Sequence, residues 1–177
     1  MFTFYLGDAH SGDQLSIYSP VFYTSAAGYK LRLQLYPNGD GTAQGTHMSL
    51  YIVIMRGEYD AILKFPFPYK FIFALLDQTN NQRHIIETFT PDPNSTSFQQ
   101  PRSDMNLASG ITKFIPLKLL EKENNPYIHD DTMFIKVMVD FENIPSDLFT
   151  HVCSANPALP SSLQYELIRE QYGRQRQ

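Results

Sequence analysis

Histidine, cysteine and paired acids are the side chains from which a reactive site is most readily built, and here none falls in a working arrangement. His84, His129 and His151 each stand alone in the sequence. Asp130-Asp131 lacks the glycine-rich turn that a calcium loop uses. Asn38-Gly39-Asp40-Gly41 starts like such a loop but has no acidic ligand downstream, and its residue types suit a hairpin turn better. The single cysteine, Cys153, falls in an irregular stretch and is not expected to be a nucleophile. No Gly-x-Ser-x-Gly elbow, phosphate loop or zinc spacing occurs. What the chain offers instead is hydroxyls and rings: Ser95-Thr96-Ser97, 11 tyrosines and 13 phenylalanines. The rings are of the kind enriched where proteins bind other proteins. The chain therefore reads as a binding module, with no catalytic residue, cofactor or metal expected.

Strands must position those side chains. Tyr29, Leu31, Leu33 and Leu35 alternate with Lys30, Arg32 and Gln34, the period-2 pattern of a half-buried antiparallel strand. Over 132–140, Met133, Ile135, Val137 and Val139 share one face, and Lys136 and Asp140 share the other with Phe134 and Met138. The runs 48–55 and 69–76 are more continuously apolar, as for strands covered on both sides. Turn chemistry separates these runs at Pro37-Asn38-Gly39-Asp40-Gly41, Phe65-Pro66-Phe67-Pro68 and Pro91-Asp92-Pro93-Asn94. Only 117–123 has a helical pattern, of two turns at most. The pattern predicts an all-β antiparallel sandwich.

A length of 177 residues suits one domain with its own core. The periodicity fades after Phe141, so the compact domain is expected over 1–147. A tail over 148–177 is expected to be loosely ordered or a short helix, since Leu163, Leu167 and Ile168 recur at helical spacing. A formal charge of -4 gives no footprint for nucleic acid. No apolar run reaches ~18 residues and no leader pattern opens the chain, so neither membrane insertion nor secretion is expected. One cysteine excludes an internal disulfide and favours a reducing, cytoplasmic setting. Asn94-Ser95-Thr96 is a glycosylation sequon, of consequence only for a secreted chain.

A series of short motifs carries a resemblance. They run from Ser19-Pro20-Val21-Phe22-Tyr23-Thr24 and Gly28-Tyr29-Lys30 through Asn38-Gly39-Asp40-Gly41 and Gly45-Thr46-His47 to Met55-Arg56-Gly57-Glu58-Tyr59-Asp60. Pro66-Phe67, Leu76-Asp77-Gln78, Phe89 with Pro91-Asp92, Ser95-Thr96-Ser97-Phe98 and Asp104-Met105-Asn106-Leu107-Ala108-Ser109-Gly110 follow, and Asp130-Asp131 closes the set. In this order, over about 19–140, the chain resembles the C-terminal MATH domain of the TNF receptor-associated factors, in their receptor-binding branch.

The resemblance implies an eight-stranded antiparallel β-sandwich that docks short receptor tails of Pro-x-Gln-x-Thr type as an added strand. It implies that Ser95, Thr96 and Ser97 grip the peptide glutamine, hydroxyls that both donate and accept meeting an amide that does the same. It makes Tyr51, Phe73, Phe89 and Phe98 an apolar wall for the proline side, with Leu107, Ala108, Ser109 and Gly110 beneath. Tyr36 and Asp40 fall where the peptide's polar end lies, and His47 falls at the rim. Gln34 stands where the family has an arginine that pairs with an acidic peptide residue, so poor discrimination between acid and amide is expected there. Phe65 replaces the family's tryptophan, and Phe2, Phe4 and Leu6 are candidates for a first strand that lacks its usual signature.

The implied role is a cytoplasmic signalling adaptor for tails of TNF-receptor-family proteins or for adaptor peptides. Two alternatives stay open: a truncated decoy without RING or coiled coil, and a secreted MATH module. With no heptads ahead of the domain, a homotrimer would rest on domain contacts alone and is expected to be weak.

Overall fold

Leu31, Leu33 and Leu35 alternate with Arg32, Gln34 and Tyr36, and this alternation decides which side of the strand is wetted. In the computed structural model, which describes residues 1–5, 15–141 and 149, the three leucines are fully buried in the core. The other three side chains stand on the opposite face.

Nine strands are described: β1 (Phe2–Tyr5), β2 (Ile17–Tyr18), β3 (Phe22–Tyr23), β4 (Lys30–Tyr36), β5 (His47–Met55), β6 (Lys70–Leu75), β7 (Ile85–Phe89), β8 (Ser109–Pro116) and β9 (Thr132–Asp140). One four-residue helix, α1 (Leu117–Leu120), lies where the helical pattern begins. The first sheet has the order β1-β9-β6-β7, and the second has β2-β4-β5-β8 with β3 also on β4. All their pairings are antiparallel. The chain is a β-sandwich of the expected class.

The count is nine rather than eight because one edge is interrupted. Both β2 and β3 pair with β4. Between them Pro20 has no N–H to donate, and the Ser19 hydroxyl accepts from the Leu33 amide at 2.9 Å in place of a ladder bond. The first strand is real: β1 pairs with β9 from Phe2↔Ile135 to Tyr5↔Thr132 and buries Phe4 in the core. Leu6, the tail over 148–177 apart from Phe149, and Cys153 lie outside the described residues.

The core fills the space between the sheets. Met48, Leu50, Ile52 and Ile54 of β5 meet Phe71, Phe73 and Leu75 of β6 in one cluster with Phe98 and Phe114. Burying a side chain of this size stabilises by roughly 1.5–3 kcal/mol. On β9, Met133 and Ile135 join the core as their alternation predicts. Lys136 and Asp140 hold the other face but are buried, and Asp140 pairs with Lys70 at 2.9 Å.

Candidate functional site

Alternation places Ser49, Tyr51 and Val53 of β5 opposite the core, beside the outward residues of β4. The register pairs Tyr36 with Ser49, Gln34 with Tyr51 and Arg32 with Val53. Over this outer face lies a cleft of about 420 Å³ lined by Tyr18, Gln34, Tyr36, Asp40, Tyr51, Val53, Met105, Asn106, Leu107 and Ala108. The strand side chains make the floor, and 105–108 stands alongside as a wall.

That wall is held by the backbone. The Arg56 amide donates to Asp104 O and the Asn106 amide to Ile54 O, both at 2.9 Å, so 104–106 runs against the end of β5. Leu107 is left 77% exposed above the cleft. Downstream, Ser109 and Gly110 open β8, the edge strand of this sheet. A Cβ on Gly110 would come within 2.5 Å of Leu50 O and 2.8 Å of Tyr51 Cα, so only glycine lets β8 approach β5 here.

The floor is polar and internally bonded. Gln34 Nε2 donates to Ser16 Oγ at 3.0 Å and to Tyr36 Oη at 2.9 Å. Tyr51 Oη donates to Asp40 Oδ2 at 3.2 Å and lies 3.3 Å from Thr112 Oγ1. The Tyr36 and Tyr51 rings meet edge to face at 5.6 Å. Burial, with help from the Asp40 carboxylate, pushes the Tyr36 phenol up, so it stays a neutral hydroxyl. Asp40 is fixed in turn by its own amide, which donates to Ser49 Oγ at 3.0 Å.

The structure brings Gln34, Tyr36, Asp40, Tyr51, Leu107 and Ala108 to one cleft, with Ser109 and Gly110 next along the chain. Phe73 is a correction. It is fully buried on the inner face of β6, stacked on Phe71 at 6.0 Å, and holds the core together. Phe98 is 1% exposed and supports the half-buried Phe89 ring from below at 5.7 Å. His47 starts β5 opposite Pro116, with its ring beside the Thr46 hydroxyl. Four residues of strand separate it from Tyr51, roughly 13 Å.

The hydroxyl run forms a 3-10 turn over Thr96–Phe98. Ser95 caps it by accepting from the Ser97 amide at 3.3 Å, and Ser97 itself is buried. Thr96 lines a neighbouring cavity of about 620 Å³ with Phe65, Gln99, Gln100, Pro101, Arg102, Ser103 and Asn106. Asn106 is the link between cavity and cleft. Its side-chain amide donates to Ser97 O at 3.1 Å and Gln99 O at 2.7 Å while it lines both spaces.

Tyr18, Val53, Met105 and Asn106 were not among the residues expected at the site. Val53 was within reach of the pattern, two positions from Tyr51 on the same face. The other three arrive by pairings between distant segments. Among the described residues, no group of three or more His, Cys, Asp or Glu could hold a metal ion. No helix there is long and apolar enough to cross a membrane.

Comparison with known proteins gives a consistent match. The family model described as TRAF/meprin, MATH domain, covers residues 14–136. TNF receptor-associated factor 1 of Homo sapiens is 55% identical over 129 residues, 73% of this chain and 31% of that protein. TNF receptor-associated factor 5 of Mus musculus is 48% identical over 137 residues, 77% of this chain and 25% of that protein. The chain thus spans between 25% and 31% of the length of these two relatives. A solved structure, Notothenia coriiceps TRAF5, superposes with a TM-score of 0.71 at 41% identity, covering 78% of this chain and 68% of that one.

Proposed function

Because the chain belongs to the TRAF/meprin MATH-domain family, we propose that its outer-face cleft binds short extended peptides, as the recognition domain of a cytoplasmic signalling adaptor. The partners in this reading are cytoplasmic tails of TNF-receptor-family proteins or adaptor peptides of Pro-x-Gln-x-Thr type. The observation that carries it is the convergence of Gln34, Tyr36, Asp40, Tyr51, Leu107 and Ala108 on one cleft beside the edge strand β8. An edge strand offers unpaired N–H and C=O groups, and an extended peptide satisfies them while its side chains enter flanking pockets. Nothing in the cleft asks for chemistry.

Titration calorimetry with a Pro-x-Gln-x-Thr peptide tests the reading, with micromolar affinity expected. Replacing Ser95 and Ser97 together by alanine should cost ~1–3 kcal/mol of binding, because the peptide amide then loses its partners. Absence of binding to the unaltered domain would remove the cleft as a peptide site. Equal affinity for the unaltered and doubly substituted proteins would remove only the hydroxyl run.

A further inference from the structure

We propose that Arg32 reads an acidic side chain of the bound peptide at the Tyr18 end of the cleft, the end away from Asp40. The inference rests on the cleft being the peptide site and adds the charge pattern of the occupant.

Arg32 stands on the outer face of β4, between two leucines that are fully buried. Its register partner is Val53, which forms part of the cleft floor. Its guanidinium lies over the Tyr18 ring, 3.6 Å from the centroid, and Tyr18 lines the cleft with 38% of its surface exposed. Stacking holds a guanidinium in a fixed plane and leaves its N–H edge to find acceptors elsewhere. One of those donors, Nε, is buried with no hydrogen-bond partner among the described residues. A donor already out of water and unpaired gains more from an incoming acceptor than a hydrated one does. A carboxylate is the natural acceptor, since its two oxygens match the guanidinium fork.

The rest of the cleft sharpens the assignment. Among the described residues that line it, Asp40 is the one that carries a charge, and Arg32 stands beside the lining, against Tyr18. Asp40 is tied to Ser49 and Tyr51, whereas Arg32 lies beside Val53. Along the floor the order Ser49, Tyr51, Val53 sets Asp40 towards one end, its carboxylate at the Tyr51 hydroxyl, and Arg32 at the other. Between them the Gln34 amide N–H groups already serve Ser16 and Tyr36, so that position carries no charge to read with. An extended occupant that fits carries an acid at one end. Nearer its other end it carries a base or a hydroxyl for Asp40.

The test is a set of Pro-x-Gln-x-Thr peptides with flanks, in which Glu, Gln or Lys is placed at each variable position in turn. They are titrated against the unaltered domain, Arg32→Gln, Arg32→Glu and Lys30→Gln, with melting curves for each protein. At one position Glu should bind about three- to tenfold more tightly than Gln, the range of a partly exposed charge pair, and the preference should shrink in high salt. Arg32→Gln should abolish it, and its melting curve shows that the fold survives. Arg32→Glu should invert it in favour of Lys. Lys30→Gln should leave it in place. A Glu preference that survives Arg32→Gln, or that disappears with Lys30→Gln, overturns the assignment. Binding by the unaltered domain with no acid preference at any position overturns this inference and leaves the peptide cleft standing. No binding of any peptide overturns both.

Discussion

Gln34 sits at the centre of the cleft floor with its amide committed to Ser16 and Tyr36. An arginine there would bring a charge and a fork to the same spot. Gln34→Arg is therefore expected to add, at the ligand position that residue 34 faces, a preference for an acid of ~0.5–2 kcal/mol, eroded by salt because the cleft is open to water. Matched Glu and Gln peptides titrated at low and high ionic strength measure it. Asn106 acts differently, by holding the Ser97 and Gln99 carbonyls. Asn106→Ala leaves both without that donor, and a loss of ~1–3 kcal/mol of stability is expected in urea unfolding. Peptide affinity should fall as well, since the same side chain lines the cleft. An unchanged affinity would show that the hydroxyl turn and the cleft work independently.

At the scale of elements, the site depends on how closely β8 approaches β5. The ladder between them shifts register between Met48 and Leu50, and Gly110 lies against Leu50 and Tyr51 just past that irregularity. Gly110→Ala is expected to push β8 outward, destabilising the domain by ~1–3 kcal/mol as overpacking does. It should also impair binding, because 105–108 would lose its seat on the sheet. Amide hydrogen exchange offers a direct readout: faster exchange confined to β8 and the end of β5 is expected. Exchange unchanged in both would mean the strands can absorb the methyl group. The β4–β5 connection makes a similar demand at Gly39, whose φ of +79 a residue with a Cβ adopts only under strain.

For the molecule as a whole, acid should loosen the fold in two stages. Burial pushes His84 below its ordinary 6.5, and its Nδ1 accepts from the Asp77 amide at 3.0 Å. The folded protein thus disfavours the imidazolium. That stability is complete above 6.5 and is lost as the pH falls from 6.5 towards the folded value. Burial alone would raise Asp77, but bonds from the Thr79 hydroxyl and amide and the Arg83 amide outweigh it and hold the carboxyl below 3.8. Its contribution is present above 3.8 and disappears as the pH falls through that lower value. Urea midpoints from pH 7.5 to 3 should show both stages. His84→Gln should flatten the upper one and Asp77→Asn the lower one.

From the residues alone come the class of fold, the inner and outer faces of β4, and the turn at Asn38-Gly39-Asp40-Gly41. Strand alternation and turn chemistry are local, so neighbours in the chain suffice to read them. The ordered motifs also carried Gln34, Tyr36, Asp40 and Tyr51 to the cleft. Tertiary structure decided what alternation leaves open, namely what covers each face. Phe73 and Tyr51 are both aromatic residues in apolar strands, yet one is sealed between the sheets and the other floors the cleft. The difference lies in which sheet packs over which face, and no spacing encodes that. Arg32 meets Tyr18 only because β2 pairs with β4, and Asn106 reaches Ser97 only because 104–106 lies along β5. Pairings between distant segments are set when the whole core closes, since each strand's apolar face is buried only by the others.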